Sequence, residues 1–367
     1  MASTSTTEAG LLEAARGGDE NAFAGLVEAY RGELHAHCYR MLGSLHDAED
    51  ALQEALLRAW RGLSSFEGRS SLRAWLYRIA TNTCLDAIGK RPKRVLPIDY
   101  GPSVDPHATP GEPLVESVWI EPYPDERLGV EDGLAGPEAS YEQRESVELA
   151  FVAALQHLPP NQRAALILRE VLGFSAAEVA ESLETSVASV NSALQRARES
   201  VEQRLPERSQ QETLRELGDE RLREMVDEFM AAMDRCDVDA VVAMLADDAA
   251  WSMPPMATWF HGREALDAFL REWPLSGEWR WKRVAARANG QAAVGAYTWD
   301  EESGTYLPFA LDVLTVRGAV IGEVTSFITR TEPEPERLHL ARWPEEAADP
   351  RRLAVFARFG LPESLPA

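Results

Sequence analysis

Asp47, Asp50, Glu54, Arg58 and Arg61 recur at spacings of three and four, with Glu49 and Gln53 beside them. On a helix that spacing gathers them on one polar face, which offers carboxylates to a basic partner. Acidic groups near a helix N-terminus also complement its dipole, and this stretch alone leaves both readings open. Further along, Arg73, Trp75, Tyr77, Arg78 and Asn82 mix cations with rings and an amide. That palette can hold a single nucleic-acid strand by stacking and phosphate pairing, although Trp75 also falls in an apolar stripe where a core role competes. The cluster Lys90-Arg91-Pro92-Lys93-Arg94 supplies either phosphate contacts or a solvated helix end. In a later helix Ser186, Ala188, Ser189, Asn191, Ser192, Gln195 and Arg196 lie off the apolar stripe. Asn and Gln can read adenine edges and Ser can reach phosphates, provided that the helix enters a major groove. His261 and Asp312 are the acid-base candidates of the C-terminal third, and neither has an identifiable partner in the sequence. Trp251, Trp259, Trp281 and Tyr297 would line a pocket with them or fill a core.

These residues need elements to position them. From Ala22 to Leu45, Phe23, Leu26, Val27, Tyr30, Leu34, Cys38 and Leu42 predict an amphipathic helix. A second starts near Asp47 with the stripe Ala48, Ala51, Leu52, Ala55, Leu56, Ala59 and Leu63, and a third runs from an N-cap at Ser70 with Leu72, Trp75, Leu76, Ile79 and Thr83 inward. Between Pro92 and Pro137 the period disappears among nine prolines, which predicts an extended linker. Its island Trp119-Ile-Glu-Pro-Tyr-Pro-Asp125 is too aromatic for a passive spacer and reads as a docking segment, or as a loop packed on its own protein. Helical period returns near Tyr141 and lasts to about Leu205. Ser175-Ala-Ala-Glu178 is a capping box, and Glu184-Thr185-Ser186 is a turn before a helix with the stripe Val187, Val190, Leu194, Ala197 and Val201. Two such helices make a helix-turn-helix, a geometry that structural three-helix bundles also use. After Gly218 helices give way to strand-like runs with turns at Asn289-Gly290, Ser303-Gly304 and Arg317-Gly318, which predicts a curved sheet on helices.

The expected architecture is multidomain. Two all-α domains at 11–95 and 141–206 flank an acidic, Pro-rich linker at 96–140. An α+β cone-like domain at 214–331 and a tail at 332–367, with Trp343 and Phe356 to Pro362, complete it. The net charge of −23 argues against autonomous DNA binding. Its distribution softens that argument, because residues 1–95 balance 12 basic against 12 acidic groups while 96–140 hold 1 and 10. No apolar run of membrane-spanning length and no export signal occur, and three scattered cysteines show no disulfide or zinc spacing, so a reducing cytoplasm is expected. Neither metal nor cofactor is expected.

The stretch Asp47-Ala-Glu-Asp-Ala-Leu-Gln-Glu54, followed by Phe66, Leu72, Trp75-Leu76, Ile79-Ala80, Asn82 and Asp86, resembles sigma region 2 of the sigma-70 superfamily. Leu158-Pro159 with Gln162-Arg163, then Gly173-Phe174-Ser175, Glu178-Val179-Ala180 and Gln195-Arg196-Ala197-Arg198, resembles sigma region 4. Together they look like an extracytoplasmic-function sigma factor, which lacks the large middle domain of housekeeping sigma factors. The resemblance implies that Asp47, Glu49, Asp50, Gln53 and Glu54 bind the coiled coil of the polymerase β′ subunit. It also implies that the Phe66 to Ser71 loop and the third helix, with Arg69, Ser70, Arg73, Tyr77, Asn82, Lys90 and Arg91, melt and capture the −10 element of promoter DNA. The helix after Ser186 would read the −35 element. Ala193 departs from the pattern, since many members carry Arg there. Met253-Pro254-Pro255, His261-Gly262-Arg263 and the late strands resemble the SnoaL-like branch of the nuclear-transport-factor-2 superfold. The Trp119 to Asp125 and Asn191 to Arg198 runs match sigma factors known to carry this fusion.

The leading expectation is therefore a non-enzymatic initiation factor, whose linker threads a basic polymerase channel and whose C-terminal domain makes intramolecular contacts that restrain or tune the sigma domains. A helix-turn-helix repressor with a ligand-sensing domain would leave the 47–54 face without work, and it predicts no binding to core polymerase. A SnoaL-like enzyme with a helical regulatory arm predicts turnover that disappears in His261→Ala or Asp312→Ala.

Overall fold

The computed structural model describes residues 8–108, 111, 114, 118–128, 144–329 and 355–367. Contacts divide the chain into two units, Met1–Lys93 with Arg127–Ser146 and Ala154–Arg204, and Arg94–Glu126 with Val147–Ala153 and Leu205–Ala367. The division does not follow chain order, because described parts of the linker and the segment 147–153 count with the C-terminal sheet.

In the first unit, α1 (Glu8–Arg16), α2 (Glu20–Leu42), α3 (Leu45–Gly62) and α4 (Leu72–Ile88) pack on one another. Asp19 caps α2 with its carboxylate on the Asn21 and Ala22 amides, and Gly43 ends that helix in the left-handed region. Ser44 caps α3 and Ser71, one residue beyond the predicted Ser70, caps α4. The predicted stripe residues Leu26, Val27, Leu34, Ala48, Ala51, Leu52, Ala59, Leu72 and Leu76 are buried. Trp75 is only partly buried, with its ring 4.9 Å from that of Phe66.

The same unit holds α7 (Pro160–Leu166), which continues through a π-helical turn at Ile167–Val171, α8 (Ala176–Ser182) and α9 (Val187–Glu202). The capping box forms as predicted: the Glu178 amide donates to Ser175 Oγ, and the Ser175 amide donates to the Glu178 carboxylate at 2.8 Å. That bond holds the Glu178 carboxyl below its usual range. Val190, Leu194, Ala197 and Val201 are buried, but Val187, expected in the same stripe, is 43% exposed. It occupies the first helical position, beyond the reach of the bundle core. The helix expected to start near Tyr141 lies partly outside the described residues; α6 is described over Leu149–Gln156.

The second unit contains α5 (Pro97–Tyr100), a short helix in the stretch expected to be wholly extended, with Pro97 at its first position where the missing N–H costs nothing. After α9 come α10 (Gln210–Leu217), α11 (Asp219–Asp234), α12 (Val238–Met244) and α13 (Arg263–Glu272), with β1 (Leu245–Ser252) and β2 (Trp259–His261) before α13. The strands β3 (Trp281–Ala288), β4 (Gln291–Asp300), β5 (Thr305–Arg317) and β6 (Val320–Ile328) complete a six-stranded sheet of order β2-β1-β6-β5-β4-β3. All neighbours are antiparallel except β1 with β6. The turns fall where the sequence predicts, with Asn289, Gly290, Gly304 and Gly318 at positive φ. Leu222, Met225, Phe229, Phe260, Leu266, Phe269, Val294, Leu314 and Val324 form the core between helices and sheet. A fully buried Phe such as Phe229 contributes about 2–3 kcal/mol there. Of the tail, Trp343 lies outside the described residues, while α14 (Val355–Arg358) seats the buried Phe356 against Tyr297.

Candidate functional site

Three sets of candidate residues fall in the first unit, and their exposure differs. On α3 the Asp47 carboxylate is buried and ion-paired with Arg91. Glu49 accepts from Arg127 at 2.7 Å. Asp50 and Gln53 remain exposed, and Glu54 accepts from Arg58 Nε at 2.8 Å while Arg58 Nη1 donates to Asp86 at 2.9 Å. Asp47, Asp50, Glu54, Arg58, Asp86, Lys90 and Arg91 line a groove of about 230 Å³. Leu57, on the same helix, is 50% exposed. The acidic face therefore exists as a groove with cations already inside it.

The second set is more covered than its residue types suggest. Arg69 is exposed and pairs with Glu67, Lys90 is exposed, and Ser70 and Asn82 are half-buried. Tyr77, however, is buried, and its hydroxyl donates to Glu33 at 3.1 Å. Burial and the Glu33 carboxylate push its pKa well up, so the phenol stays a donor. The Arg73 guanidinium lies 4.9 Å from both the Tyr77 and the Phe174 ring centroids, donates to Glu33 at 3.2 Å and reaches the Leu172 carbonyl at 3.4 Å. Arg78 pairs with Glu184 at 3.3 Å and Glu181 at 3.8 Å. Buried Arg163 donates to the Met41 and Leu158 carbonyls and to Gln156. In this arrangement the 172–184 segment packs over Arg73 and Tyr77, two of the residues expected to hold the −10 strand. Glu33, Phe174, Glu181 and Glu184 were not singled out for this role by sequence reasoning.

The third set stands open. Ser186, Ala188, Ser189, Asn191, Ser192, Gln195 and Arg196 are all exposed on α9, on the side away from the buried stripe. Ser186 caps the helix by accepting from the Ser189 amide at 3.1 Å, and Gln195 donates to Glu199. Glu184, in the left-handed region, makes the turn between α8 and α9. The arrangement can present hydroxyls and amides to a groove of a duplex.

In the second unit the pocket candidates do not converge. Trp251 Nε1 donates to Ser326 Oγ at 2.9 Å, and Ser326 Oγ donates to Asp312 at 2.6 Å, all within the core. Burial raises the Asp312 pKa, with the Arg283 guanidinium opposing. Trp281 is buried beneath Arg283 and donates to the Pro274 carbonyl. Trp259 donates to the Gly101 carbonyl at 2.8 Å, and His261 is exposed beside it on β2. Tyr297 faces the other side of the sheet, where its hydroxyl donates to the Pro362 carbonyl at 2.8 Å. Strand alternation sends Val294 and Ala296 inward and Tyr297 outward, so the six candidates do not share one face of the sheet. Among the described residues no group of three or more His, Cys, Asp or Glu is placed to hold a metal, and no helix is long and apolar enough to cross a membrane.

Comparison with known proteins assigns residues 26–94 to the family model for sigma-70 region 2, 148–201 to that for sigma-70 region 4, and 226–327 to that for a SnoaL-like domain. The chain is 41% identical over 348 residues to the ECF RNA polymerase sigma factor SigG of Mycobacterium tuberculosis, covering 94% of this chain and 85% of the relative. It is 32% identical over 190 residues to SigW of Bacillus subtilis, covering 51% of this chain and 91% of that one. Among solved structures, the Mycobacterium tuberculosis extracytoplasmic function sigma factor SigJ aligns with a TM-score of 0.52 at 25% identity, over 83% of this chain and 96% of that one.

Proposed function

Because the chain belongs to the extracytoplasmic-function sigma factors of the sigma-70 family and carries a SnoaL-like domain, we propose that it directs RNA polymerase core to promoters while its C-terminal domain restrains it in cis. In this reading the α3 face with Asp47, Glu49, Asp50, Gln53 and Glu54 meets the coiled coil of β′. The 66–71 loop and α4 open and hold the −10 element, and α9 reads the −35 element with Asn191, Gln195 and Arg196 at its centre. The net charge of −23 makes free DNA a poor ligand, so promoter contact depends on polymerase.

What supports a restrained state of the sigma regions is the contrast within the first unit, while restraint by the C-terminal domain rests on the fusion itself. The duplex-reading face of α9 is open, whereas Arg73 and Tyr77 are covered by Phe174 and Leu172, and Glu49 and Asp47 are already ion-paired. A helix-turn-helix packed on α4 cannot serve a second promoter element a full spacer away, so separation of the two sigma regions precedes engagement. The test is promoter-dependent transcription by the full chain and by a 1–206 truncation across core concentrations. Greater activity of the truncation at limiting core is expected, and identical curves would remove the cis-regulatory claim. Core capture weakened by Asp50→Ala with Glu54→Ala tests the α3 assignment, and unchanged capture would reject it.

A further inference from the structure

The two-residue turn joining β3 to β4 is bonded to three other segments of the second unit. Such tips ordinarily face water. Here Asn289 is wholly buried and every polar group of its side chain is used by other segments of the chain. Its Oδ1 accepts from the Tyr123 amide at 2.8 Å and its amide donates to the Tyr123 carbonyl at 2.8 Å, so the linker pairs with the turn through a closed ring. Its Nδ2 donates to the Val147 carbonyl at 2.8 Å. Asp125 accepts from the Gly290 amide at 2.7 Å and from Arg287 at 3.2 Å. Gln291, also buried, accepts from the Leu149 amide at 3.0 Å. Glu148 accepts from the Gln210 and Gln211 amides, and Gln211 Nε2 donates back to the Gly290 carbonyl.

Residues 148–201 match sigma region 4, so the start of its first helix is fastened to this turn by Asn289 and Gln291. We infer that the Asn289–Gln291 turn is a double latch that holds the linker segment Tyr123–Asp125 and the start of the region-4 helix together, so that release of one loosens the other. The coupling has a physical cause. One carboxamide bridges both segments, its orientation is fixed by the Tyr123 ring of bonds, and the bond to Val147 persists only while that orientation and the exclusion of water persist. The latch names the regulation of the factor proposed above, and its consequence for transcription rests on that reading; the coupling itself does not.

Hydrogen exchange on the full-length chain tests the coupling. Asn289→Gly retains the left-handed backbone that alanine would strain, while removing both side-chain bonds. It is expected to speed exchange at Tyr123 and Asp125 and at Leu149 to Val152 by roughly tenfold. Asp125→Asn, which weakens the linker's bonds to Gly290 and Arg287 and leaves the Asn289 side chain in place, is expected to speed the 149–152 amides as well. Acceleration confined to the linker in Asp125→Asn would overturn the latch, as would uniform loosening of β4 and β5 in Asn289→Gly, which would make Asn289 a fold residue only. In parallel, Asn289→Gly is expected to raise promoter-dependent transcription several-fold with core polymerase. Exchange decides the latch, and transcription decides the reading that it deepens.

Discussion

Replacing Phe174 by alanine is expected to separate the helix-turn-helix from α4 without unfolding either. The Phe174 ring is 7% exposed, meets Tyr77 edge-on with centroids 5.3 Å apart, and lies 4.9 Å from the Arg73 guanidinium. An aromatic pair of this geometry contributes about 1 kcal/mol beyond its area, and a half-buried cation over a ring about another 1 kcal/mol. Full deletion of a core Phe costs about 3–5 kcal/mol, so the remainder belongs to contacts of the ring within its own helical layer. Loss of about 2 kcal/mol from the shared contact shifts the closed-to-open ratio about 30-fold. Fluorophores at exposed Glu20 and Glu199 report the separation by energy transfer in the full-length chain. Phe174→Ala is expected to populate a low-transfer state that Phe174→Leu populates far less, and to increase capture of a −10 single strand in the presence of core. An unchanged transfer distribution in Phe174→Ala, with native circular dichroism, would refute the argument that this ring holds the two sigma regions together.

Acid sensitivity follows from His37, which is fully buried with Nε2 2.9 Å from Thr81 Oγ1 and a pKa pushed by burial from 6.5 down to about 3. The folded state needs the ring neutral, so its stabilisation is present above pH 6.5 and is lost as pH falls toward 3, at about 1.4 kcal/mol per unit. His37→Gln is expected to shrink the difference in urea stability between pH 7 and pH 5 by about 2 kcal/mol, and an unchanged difference would contradict the burial argument. For Asp312 the sign is opposite: a raised carboxyl pKa in the fold means that stability falls as pH rises above the unfolded value of 3.8. Asp312→Asn should therefore gain thermal stability relative to the parent between pH 4 and pH 7, with Ser326 still able to donate to the amide oxygen; a constant offset would count against it. Ser175→Ala removes the capping box of α8 and is expected to cost about 1 kcal/mol, read as faster amide exchange in 176–182 but not in α3.

The order of helices, the capping box, the three hairpin turns and the stripe of α9 were legible in the sequence, because each rests on local rules of period, cap and turn that a few consecutive residues satisfy. The family resemblance was legible for the same reason, since short runs such as Asp47 to Glu54 keep their spacing whatever the rest of the chain does. Val187 escaped the periodic argument because period assigns a face but not where along a helix the core ends. Tertiary structure decided what covers each face. No local rule pairs Arg73 with Phe174 about a hundred residues away, or Glu49 with Arg127. The island Trp119 to Asp125 read as a docking segment or as a loop packed on its own protein, and what it packs on emerged only when β3 and β4 brought Asn289 and Gly290 beside Tyr123 and Asp125. Residue types determine which groups want partners, and only the folded chain determines which partners are within three ångströms.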